Sequence, residues 1–574
     1  MTKRPDDVVR ITASPVNRTT KAMACALAIL AWGWLGSTGC KEDSRGSRDD
    51  AQVEQDGGLD SSVHNDGSQT GDAHTNDDGS IDPDSGQDAS TPCIGPQVLR
   101  YDTYEVTLQA SQGYNGTSGS PNPFTEVDLT ATVTAPDNRT IQVEGFYDGD
   151  GAGGNNGQVF KIRIFADQPG QWSYVTHSTA DSGLDGQTGQ FCVQGTLAGR
   201  FGAGPVLVNP AHPHTFMLAN GDPIYLIGKF LDVAAPDPIK FSHTMFSEHL
   251  SDADRQAMLD RHVGMGLNKI NVYLANRGDY GGVSTTPWVG DAGNNDKSHF
   301  DLGRWHMYDE WGRKIRDAGL VAQFWFFADD SDFGPMSDAD KQRLIRYGMA
   351  RMSGYANTMF TLCLEWEEGW SPQAVNTNAR FLQQHNPWAR LVSVHGQTGD
   401  FDYPNEAWAN YMDIQSGNDA SPSTVHAMGL HNRGLADKPL INEEFGLGDE
   451  NDDLRRRAWA AFTAGAGGSG TGAFLQHLAA FTTIAPFELM DPHDELVTSG
   501  SGYCLAAPGT AYVVYLINGG QITLDLSAAS GAMNVTWFDP RTGSQTNGGT
   551  VTGGSVQSFS APGAGDWTLL VTTP

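Results

Sequence analysis

Between residue 205 and about residue 490, short apolar runs alternate with stretches of helical character. Eight of these runs have the length and composition of buried strands, and they occupy residues 223–228, 269–275, 320–328, 359–365, 390–395, 411–415, 439–444 and 472–477. Two intervening stretches begin Ser-Asp-Ala-Asp, at Ser251 and Ser337, which is a helix N-cap followed by acids in the first turn. Eight strands with helices between them over about 280 residues predict one (β/α)8 TIM barrel, residues 205–490.

The segments on either side of this barrel have a different pattern. Residues 93–200 contain six short alternating runs divided by Gly, Pro, Asn and Asp turns, which predict a β-sandwich. Residues 498–574 return to alternating runs with tight turns, and we expect a second, smaller sandwich there. The predicted fold class is therefore multidomain, with a TIM barrel flanked by N-terminal and C-terminal β-sandwich domains.

The first 92 residues are predicted to lie outside these domains. Basic residues precede an apolar run, Ala22–Leu35, that is too short to span a bilayer comfortably, so residues 1–39 are predicted to be a signal peptide. The small residues that lead into Cys40 resemble the lipobox of bacterial lipoproteins, which implies lipidation of Cys40; a plain secretory signal is the alternative. Residues 40–92 are rich in Asp, Gly and Ser and are predicted to form a disordered acidic tether.

Charge and motif content exclude several functions. The formal net charge is −32, whereas nucleic-acid binding requires clustered Lys and Arg. No glycine pattern of a dinucleotide-binding or phosphate-binding loop follows a predicted strand, and no Cys or His spacing indicates zinc. We therefore expect no cofactor, no metal and no nucleic-acid partner.

The cysteines offer one candidate disulfide. Cys93 and Cys192 bracket the predicted N-terminal sandwich. In an oxidising compartment a bond between them would contribute about 4–5 kcal/mol on the chain-entropy model, although the sequence leaves this pairing open. Cys363 and Cys504 lie in apolar runs and are expected to be buried thiols.

Acidic residues stand at the ends of two predicted strands. The fourth strand runs into Glu365, Glu367 and Glu368, and the seventh ends at Glu443 and Glu444. Catalytic residues of TIM barrels lie at the carboxyl ends of strands, and strands four and seven face each other across the barrel mouth. Hydrolysis of a glycosidic bond needs two carboxyl groups in different protonation states, so these acids predict a glycosidase site.

The chain resembles bacterial surface glycoside hydrolases that carry an apiosidase-like TIM barrel. The stretch KPLINEEFG, 438–446, is similar to the strand-seven motif of the large retaining clan, and this resemblance implies that Glu444 is the nucleophile. The same resemblance implies an acid/base after strand four, which is Glu368, with Glu367 as the competing residue because a Glu–Glu doublet replaces the usual Asn–Glu. Glu365 and Glu443 alternate differently and are expected to point into the barrel wall or toward a neighbouring Arg.

The flanking segments carry the same resemblance. GFYDGDG and the strands after it, from residue 145, are similar to an N-terminal β-sandwich of unknown function that precedes such barrels. WFDPRTG and FSAPGAGDWTLLV, in the last 40 residues, are similar to the small C-terminal sandwich that is sometimes labelled collagen-binding.

Other polar and aromatic residues at or near predicted strand ends are candidates for binding a sugar. They are Asn276, Arg277, Trp325, Asp329, His395, Gln415, Glu443 and His477, the last of which follows predicted strand eight.

The sequence therefore predicts a retaining glycoside hydrolase that acts on an extracellular polysaccharide or oligosaccharide. We expect a monomer at the bacterial cell surface or in the periplasm, held through a lipid anchor in the outer membrane, or else secreted. One alternative is a non-catalytic surface lipoprotein that binds glycan or collagen. A second is a polysaccharide lyase, which the paired Glu residues disfavour because lyases use Tyr, His or Lys bases.

Overall fold

A computed structural model describes residues 93–229, 245–248, 250–276, 285–291, 293–328, 336–417, 419–445, 452–470 and 475–574. All of these residues belong to one compact unit, Asp88–Pro574. The predicted signal peptide and tether, Cys40, Arg277 and Asp329 lie outside the described residues. Within the described ranges, no helix is both long enough and apolar enough to cross a membrane.

The N-terminal domain is a seven-stranded sheet that folds over on itself. Its strands follow the order β1-β7-β6-β3-β4-β5-β2. Tyr104 in β2, the last strand of this order, stacks on Phe191 in β7, the second strand, with ring centroids 4.1 Å apart, so the two sides of the sheet face each other. The strands are β1 (Gln97–Arg100), β2 (Thr103–Asn115), β3 (Thr130–Thr134), β4 (Thr140–Tyr147), β5 (Asn156–Phe165), β6 (Gly170–His177) and β7 (Thr188–Thr196).

A disulfide joins the two ends of this domain. It links Cys93 to Cys192, 99 positions later, with a Cα–Cα distance of 5.4 Å. The other two described cysteines, Cys363 and Cys504, are buried thiols, as expected from their apolar surroundings.

The middle of the chain forms a nearly closed sheet of eight parallel strands, here called the central sheet. Its order is β17-β16-β15-β12-β11-β20-β19-β18, and a parallel bridge between His395 and Asp413 connects the two end strands. A small antiparallel sheet, β8–β10, precedes it, and a hairpin, β13–β14, is inserted after β12. The strands are β8 (Val206–Val208), β9 (Phe216–Leu218), β10 (Pro223–Ile224), β11 (Ile227–Lys229), β12 (Lys269–Tyr273), β13 (Trp288–Gly290), β14 (Asn295–Phe300), β15 (Val321–Phe327), β16 (Thr358–Cys363), β17 (Val392–Ser393), β18 (Met412–Gln415), β19 (Leu440–Glu444) and β20 (Ala466–Gly470).

Seven helices accompany the central sheet within the described residues. Ser251 and Ser337 each cap a helix in a reciprocal capping box with the Asp three residues later, which confirms the predicted helix starts. The helices are α1 (Asp252–Gly264), α2 (Leu302–Asp317), α3 (Asp338–Met352), α4 (Pro372–Gln384), α5 (Pro422–Arg433), α6 (Asp452–Thr463) and α7 (Leu475–Phe481).

Seven of the eight predicted strands occur within a few residues of their expected positions, but the eighth prediction is wrong. Residues 475–477 of the predicted run lie in helix α7, and residues 472–474 are outside the described residues. The strand between β11 and β19 is the glycine-rich segment Ala466–Gly470. Close strand approach explains the glycines, since a Cβ on Gly468 would lie 2.2 Å from the carbonyl oxygen of Asn442. Because its side chains are short, this strand lacks the apolar run that marks the other strands in the sequence.

The C-terminal domain consists of two antiparallel sheets over a shared core. One has the order β21-β23-β24-β29-β26-β27 and the other has the order β22-β25-β28. Trp537 and Trp567 pack edge to face within this core. The strands are β21 (Asp491–Pro492), β22 (Val497–Ser499), β23 (Tyr503–Ala507), β24 (Ala511–Leu516), β25 (Gly519–Asp525), β26 (Ala532–Phe538), β27 (Gln545–Thr552), β28 (Val556–Ala564) and β29 (Trp567–Thr572).

Buried ion pairs fasten both flanking domains to the middle of the chain. In the N-terminal domain, Arg163 makes a bidentate pair with Asp309 of α2, at 2.6 and 2.9 Å, and Arg351 of α3 bonds the same carboxylate. In the C-terminal domain, Asp566 makes a bidentate pair with Arg455 of α6, at 3.0 and 2.8 Å. Fork-shaped guanidinium–carboxylate pairs fix orientation, so both domains are held in defined positions.

Candidate active site

Four consecutive strands around the central sheet end in polar side chains. Glu365 follows β16 by two residues, His395 follows β17 by two residues, and Gln415 and Glu444 are the last residues of β18 and β19. Because the strands are parallel, their carboxyl ends meet at one rim, where the active sites of such folds lie. The structure therefore places these four residues on neighbouring strand ends of one rim.

Glu365 is a half-buried carboxylic acid in an unusual backbone conformation. Its φ is 41°, in the left-handed region that costs a non-glycine residue about 1–3 kcal/mol. The amide Nε2 of Gln415 donates a hydrogen bond to its Oε1. Burial raises the pKa of Glu365, the bond from Gln415 opposes this rise, and the charge of Glu368 adds to it.

The neighbouring strand, β17, and His395 after it hold the segment around Glu365 in place. The backbone N–H of His395 donates to the carbonyl of Cys363, and that of Trp366 donates to the carbonyl of His395, both at 3.1 Å. The backbone N–H of Glu365 points at Nδ1 of His395, 3.5 Å away. Burial lowers the pKa of His395 to about 4, against the opposing charge of Glu443, so its ring is neutral at neutral pH.

Glu367 and Glu368 lie on a short 3-10 helix, Trp366–Glu368, and are both exposed. The backbone N–H of Gln397 donates to Oε2 of Glu367 at 2.9 Å, and its side-chain amide donates to Oε1 of Glu368 at 3.2 Å. The predicted acid/base candidates therefore face solvent beside Gln397, while Glu365 occupies the strand end itself.

Glu444 is buried at the end of β19. A β-bulge between Ile414 and Gln415 changes the register so that Gln415 pairs with Glu444, and the N–H of Ser416 donates to the carbonyl of Glu444 at 2.9 Å. Gln415 thus has its side chain on Glu365 and its backbone opposite Glu444. It therefore contacts both Glu365, after strand four, and the backbone of Glu444, at the end of strand seven.

Glu443 has a partner other than the expected arginine. Its carboxylate accepts two bonds from the ammonium of Lys269, at 2.7 and 2.9 Å, and one from the amide of Asn271 at 3.2 Å. Both members of the ion pair are fully buried. Glu443, which the sequence suggested as a sugar-binding residue, therefore belongs to the interior of the central sheet.

This interior network contains further groups that the sequence did not single out. Lys269 also bonds Asn271 and Gln323, and Gln323 donates to Asp413 at 3.1 Å. Burial raises the pKa of Asp413 well above its usual range, and the charge of Glu443 raises it further. Lys269 and Asp413 are charged residues within predicted apolar strands, and this is the one sequence signal that could have indicated them.

The remaining sugar-binding candidates lie in different places. Trp325 is buried, with its ring 5.4 Å from that of Tyr273 and 5.3 Å from that of His395. Asn276 exchanges two backbone hydrogen bonds with Thr285 just beyond β12. Arg277 and Asp329 are not among the described residues.

The predicted position of His477 at a strand end is wrong. It lies on helix α7 and faces the C-terminal domain, where a Cβ on Gly543 would lie 2.6 Å from its Nδ1. Its misplacement follows from the wrong eighth strand.

No metal site is found in the described ranges, where no group of three or more His, Cys, Asp or Glu is arranged to hold an ion. The acidic DGDG turn at 148–151 carries a buried charge. Asp148 is fully buried and accepts from Lys161 at 3.0 Å and from Arg351 at 2.8 Å.

Comparisons with known proteins agree with this architecture. Residues 97–179 match a family described as a domain of unknown function, DUF5060, and residues 494–572 match one described as "Putative collagen-binding domain of a collagenase". These two matches agree with the resemblance of the flanking segments. No curated protein matches the chain.

Solved structures of glycoside hydrolases are similar to the chain in fold. A "putative glycoside hydrolase" from Bacteroides vulgatus superimposes with a TM-score of 0.66 and 19% identity, over 83% of this chain and 100% of that one. A glycoside hydrolase family 5 protein from Bacteroides vulgatus gives a TM-score of 0.53 and 15% identity, over 65% of this chain and 94% of that one. At these identities the likeness shows a shared fold.

Proposed function

We propose that the protein is a glycoside hydrolase with a (β/α)8 catalytic barrel that cleaves O-glycosidic bonds by a retaining mechanism. One observation carries the proposal: Glu365, just after strand four, and Glu444, at the end of strand seven, lie on one rim. Gln415 bonds the carboxyl group of Glu365 and pairs through its backbone with Glu444. Two carboxyl groups in these positions suit acid-assisted displacement at an anomeric carbon. The fold shared with glycoside hydrolases supports the same assignment.

The two carboxyl groups take different roles. Glu444 acts as the nucleophile, as the strand-seven resemblance implies. Glu365 acts as the acid/base, because burial raises its pKa and so favours the protonated form that a general acid requires. We favour Glu365 over Glu368 and Glu367, because those two side chains are exposed and are bonded to Gln397.

The proposed reaction has two steps. The Glu444 carboxylate forms a bond to the anomeric carbon while the bond to the leaving oxygen breaks, and Glu365 gives its proton to that oxygen. The Glu365 carboxylate then takes a proton from water, whose oxygen attacks the anomeric carbon and releases Glu444. The enzyme returns to its starting protonation state.

The proposed cellular setting follows from the N-terminal sequence. Lipidation at Cys40 would anchor the protein to the outer membrane, and the acidic tether would hold the enzyme away from the lipid surface. An extracellular polysaccharide or oligosaccharide is the substrate class that suits this placement. We propose that the protein acts as a monomer without a cofactor.

Substitution of the acids tests the proposal. Glu444→Gln and Glu365→Gln are each expected to lower kcat on an unactivated glycoside by about 10²–10⁴-fold or more, because each removes one half of the acid–nucleophile pair. Glu367→Gln and Glu368→Gln are matched controls, expected to keep wild-type activity within about threefold, since an exposed side chain contributes little to the transition state. Loss of activity in Glu368→Gln with full activity in Glu365→Gln would move the acid/base role to Glu368.

A second candidate function is glycan or collagen binding without catalysis. It is favoured by the match of residues 494–572 to a family described as collagen-binding. Assays of binding and of sugar release on a panel of polysaccharides, aryl glycosides and collagen distinguish the two candidate functions. Binding by wild-type protein and by Glu444→Gln, with no sugar released by either, would favour the binding function.

A further inference from the structure

The amide of Gln415 occupies a position that no catalytic role yet explains. Gln415 is buried at the end of β18, and its Nε2 donates to Oε1 of Glu365. Within the described part of the chain, no other side-chain hydrogen bond to the Glu365 carboxyl is formed.

We propose that Gln415 is a positioning residue that selects which oxygen of Glu365 carries the acidic proton. This inference rests on the proposed function, in which Glu365 is the acid/base.

The chemistry of the amide supports this selection. An amide nitrogen can only donate, so the oxygen that faces it must accept. In a protonated carboxyl group the carbonyl oxygen is the better acceptor and the other oxygen bears the hydrogen. The bond from Gln415 to Oε1 therefore places the proton on Oε2, which becomes the oxygen that can protonate a leaving group.

The backbone around Glu365 makes a single side-chain bond sufficient. The left-handed φ of 41° and the contacts to His395 hold its Cα in one orientation. What remains free is rotation of the carboxyl group about its side-chain torsions, and one hydrogen bond from a buried donor stops that rotation. A strained residue kept in place by its neighbours is typical of preorganised sites.

Gln415 also lies on the strand between the two proposed catalytic acids. The bulge at Ile414 and Gln415 puts its backbone opposite Glu444, while its side chain holds Glu365. Among the ionisable groups on the neighbouring elements, Glu368 on the 3-10 helix raises the pKa of Glu365. The others are Glu367 on the same helix, neutral His395 after β17 and Glu444 on β19, with the network of Lys269, Glu443 and Asp413 further inside the sheet.

The test is the Gln415→Met variant of the full chain, since Met has a similar length and no N–H donor. Because the bond from Gln415 opposes the rise in the pKa of Glu365, its loss moves the alkaline limb of the kcat/KM profile to higher pH, by about one unit. On an unactivated glycoside kcat falls about 10–100-fold, with KM within about twofold. On a dinitrophenyl glycoside, whose leaving group needs no proton, kcat/KM, which reports the first step, falls less than about threefold.

Two matched variants separate the possible results. Gln397→Met removes the amide that bonds exposed Glu368 and is expected to leave the alkaline limb in place. Glu365→Gln tests the proposed function itself, because an active variant on the unactivated glycoside would reject Glu365 as the acid whatever Gln415 does. If Gln415→Met does not fold, Gln415→Asn keeps an amide but withdraws it by one methylene, and the same shift is expected.

Three results overturn the inference while leaving the proposed function standing. One is an unchanged alkaline limb in Gln415→Met beside an inactive Glu365→Gln. Another is an equal loss of kcat/KM on both leaving groups, which indicates a packing role only. A shift of the limb to lower pH would show that the amide presents its oxygen to a protonated Glu365. If the wild-type protein cleaves no glycoside, both the proposed function and this inference fail.

Discussion

The ammonium of Lys269 lies 2.7 Å from Oε1 of Glu443, and neither side chain reaches solvent. The two residues stand on β12 and β19, 174 positions apart in the chain. Burial lowers the pKa of Lys269, and the Glu443 carboxylate beside it raises it in part. The pair places a compensated charge inside the central sheet, directly before Glu444.

Removal of one partner of this pair is expected to destabilise the protein strongly. Lys269→Met leaves a buried carboxylate without its cation and should cost about 3–5 kcal/mol, whereas the double variant Lys269→Met/Glu443→Met should cost less than either single variant. The measurement is the denaturant midpoint by tryptophan fluorescence. Lys314→Met, at a partly exposed pair with Glu310, is the control and should cost at most about 1 kcal/mol. Simple addition of the two single effects would contradict this prediction.

The buried ion pair that holds the N-terminal domain, Arg163 with Asp309, should make the stability of the protein sensitive to charge and to pH. Asp309→Asn leaves the buried guanidinium groups of Arg163 and Arg351 undercompensated and should cost about 3–5 kcal/mol, measured by denaturation and by limited proteolysis of the released domain. Burial would raise the pKa of Asp309, but the two arginines outweigh this effect and hold it at about 2. The pKa of Asp309 is lower in the folded protein than in the unfolded chain, so its ionised carboxylate stabilises the fold. This stabilisation is complete above about pH 4 and is lost as pH falls toward 2.

The control for that experiment is Asp137→Asn. Asp137 is exposed and lies 3.9 Å from Arg139 at the surface, so its loss should change stability by no more than about 0.5 kcal/mol. Equal effects at Asp137 and Asp309, or a difference between wild type and Asp309→Asn that grows below pH 4, would contradict the assigned role.

Substitutions at the buried ion pair that holds the C-terminal domain, Arg455 with Asp566, should destabilise the protein by different amounts. Tyr515 donates its hydroxyl to Asp566 at 3.1 Å, beside the bidentate pair of Asp566 with Arg455. Tyr515→Phe removes one bond to a charged group and should cost about 1.5–3 kcal/mol, while Asp566→Asn removes the buried charge and should cost about 3–5 kcal/mol. Thermal unfolding checks the order, and a larger effect of Tyr515→Phe would show that packing of the ring dominates.

The stereochemistry of the product should be retained. Two-step displacement is expected to release a sugar that first has the same anomeric configuration as the substrate. Proton NMR of the early product measures this configuration. Azide should rescue Glu444→Ala with an inverted glycosyl azide, because it attacks from the face that Glu444 leaves empty. Azide should rescue Glu365→Ala with retained configuration, because it attacks the glycosyl-enzyme. An inverted hydrolysis product would exclude the double-displacement mechanism.

The positions of most elements of the central domain were predictable from the sequence. Buried strands such as 320–328 read as continuous apolar runs, and the caps at Ser251 and Ser337 are local signals. Strand β20 was missed for the opposite reason. Its residues are small because neighbouring strands approach closely, and this close approach is not visible in the local pattern.

The candidate site was predictable in part. The concentration of acids after strands four and seven is a feature of the sequence, but their individual environments are not. A left-handed turn at Glu365, a 3-10 helix after it and the bulge at Gln415 decide which carboxyl groups are buried at the rim. Each of these features depends on hydrogen bonds to a neighbouring strand.

The sequence by itself determined the alternation of strands and helices, the β-rich character of both ends and the strands that carry the acids, because these follow from local periodicity and residue type. Only the tertiary structure decided that Glu443 pairs with Lys269 and that Gln415 bonds Glu365. It also decided that Arg163 and Arg455 hold the outer domains in place. These contacts join residues that are 50 to 174 positions apart, and closure of the sheet and docking of the domains bring them together.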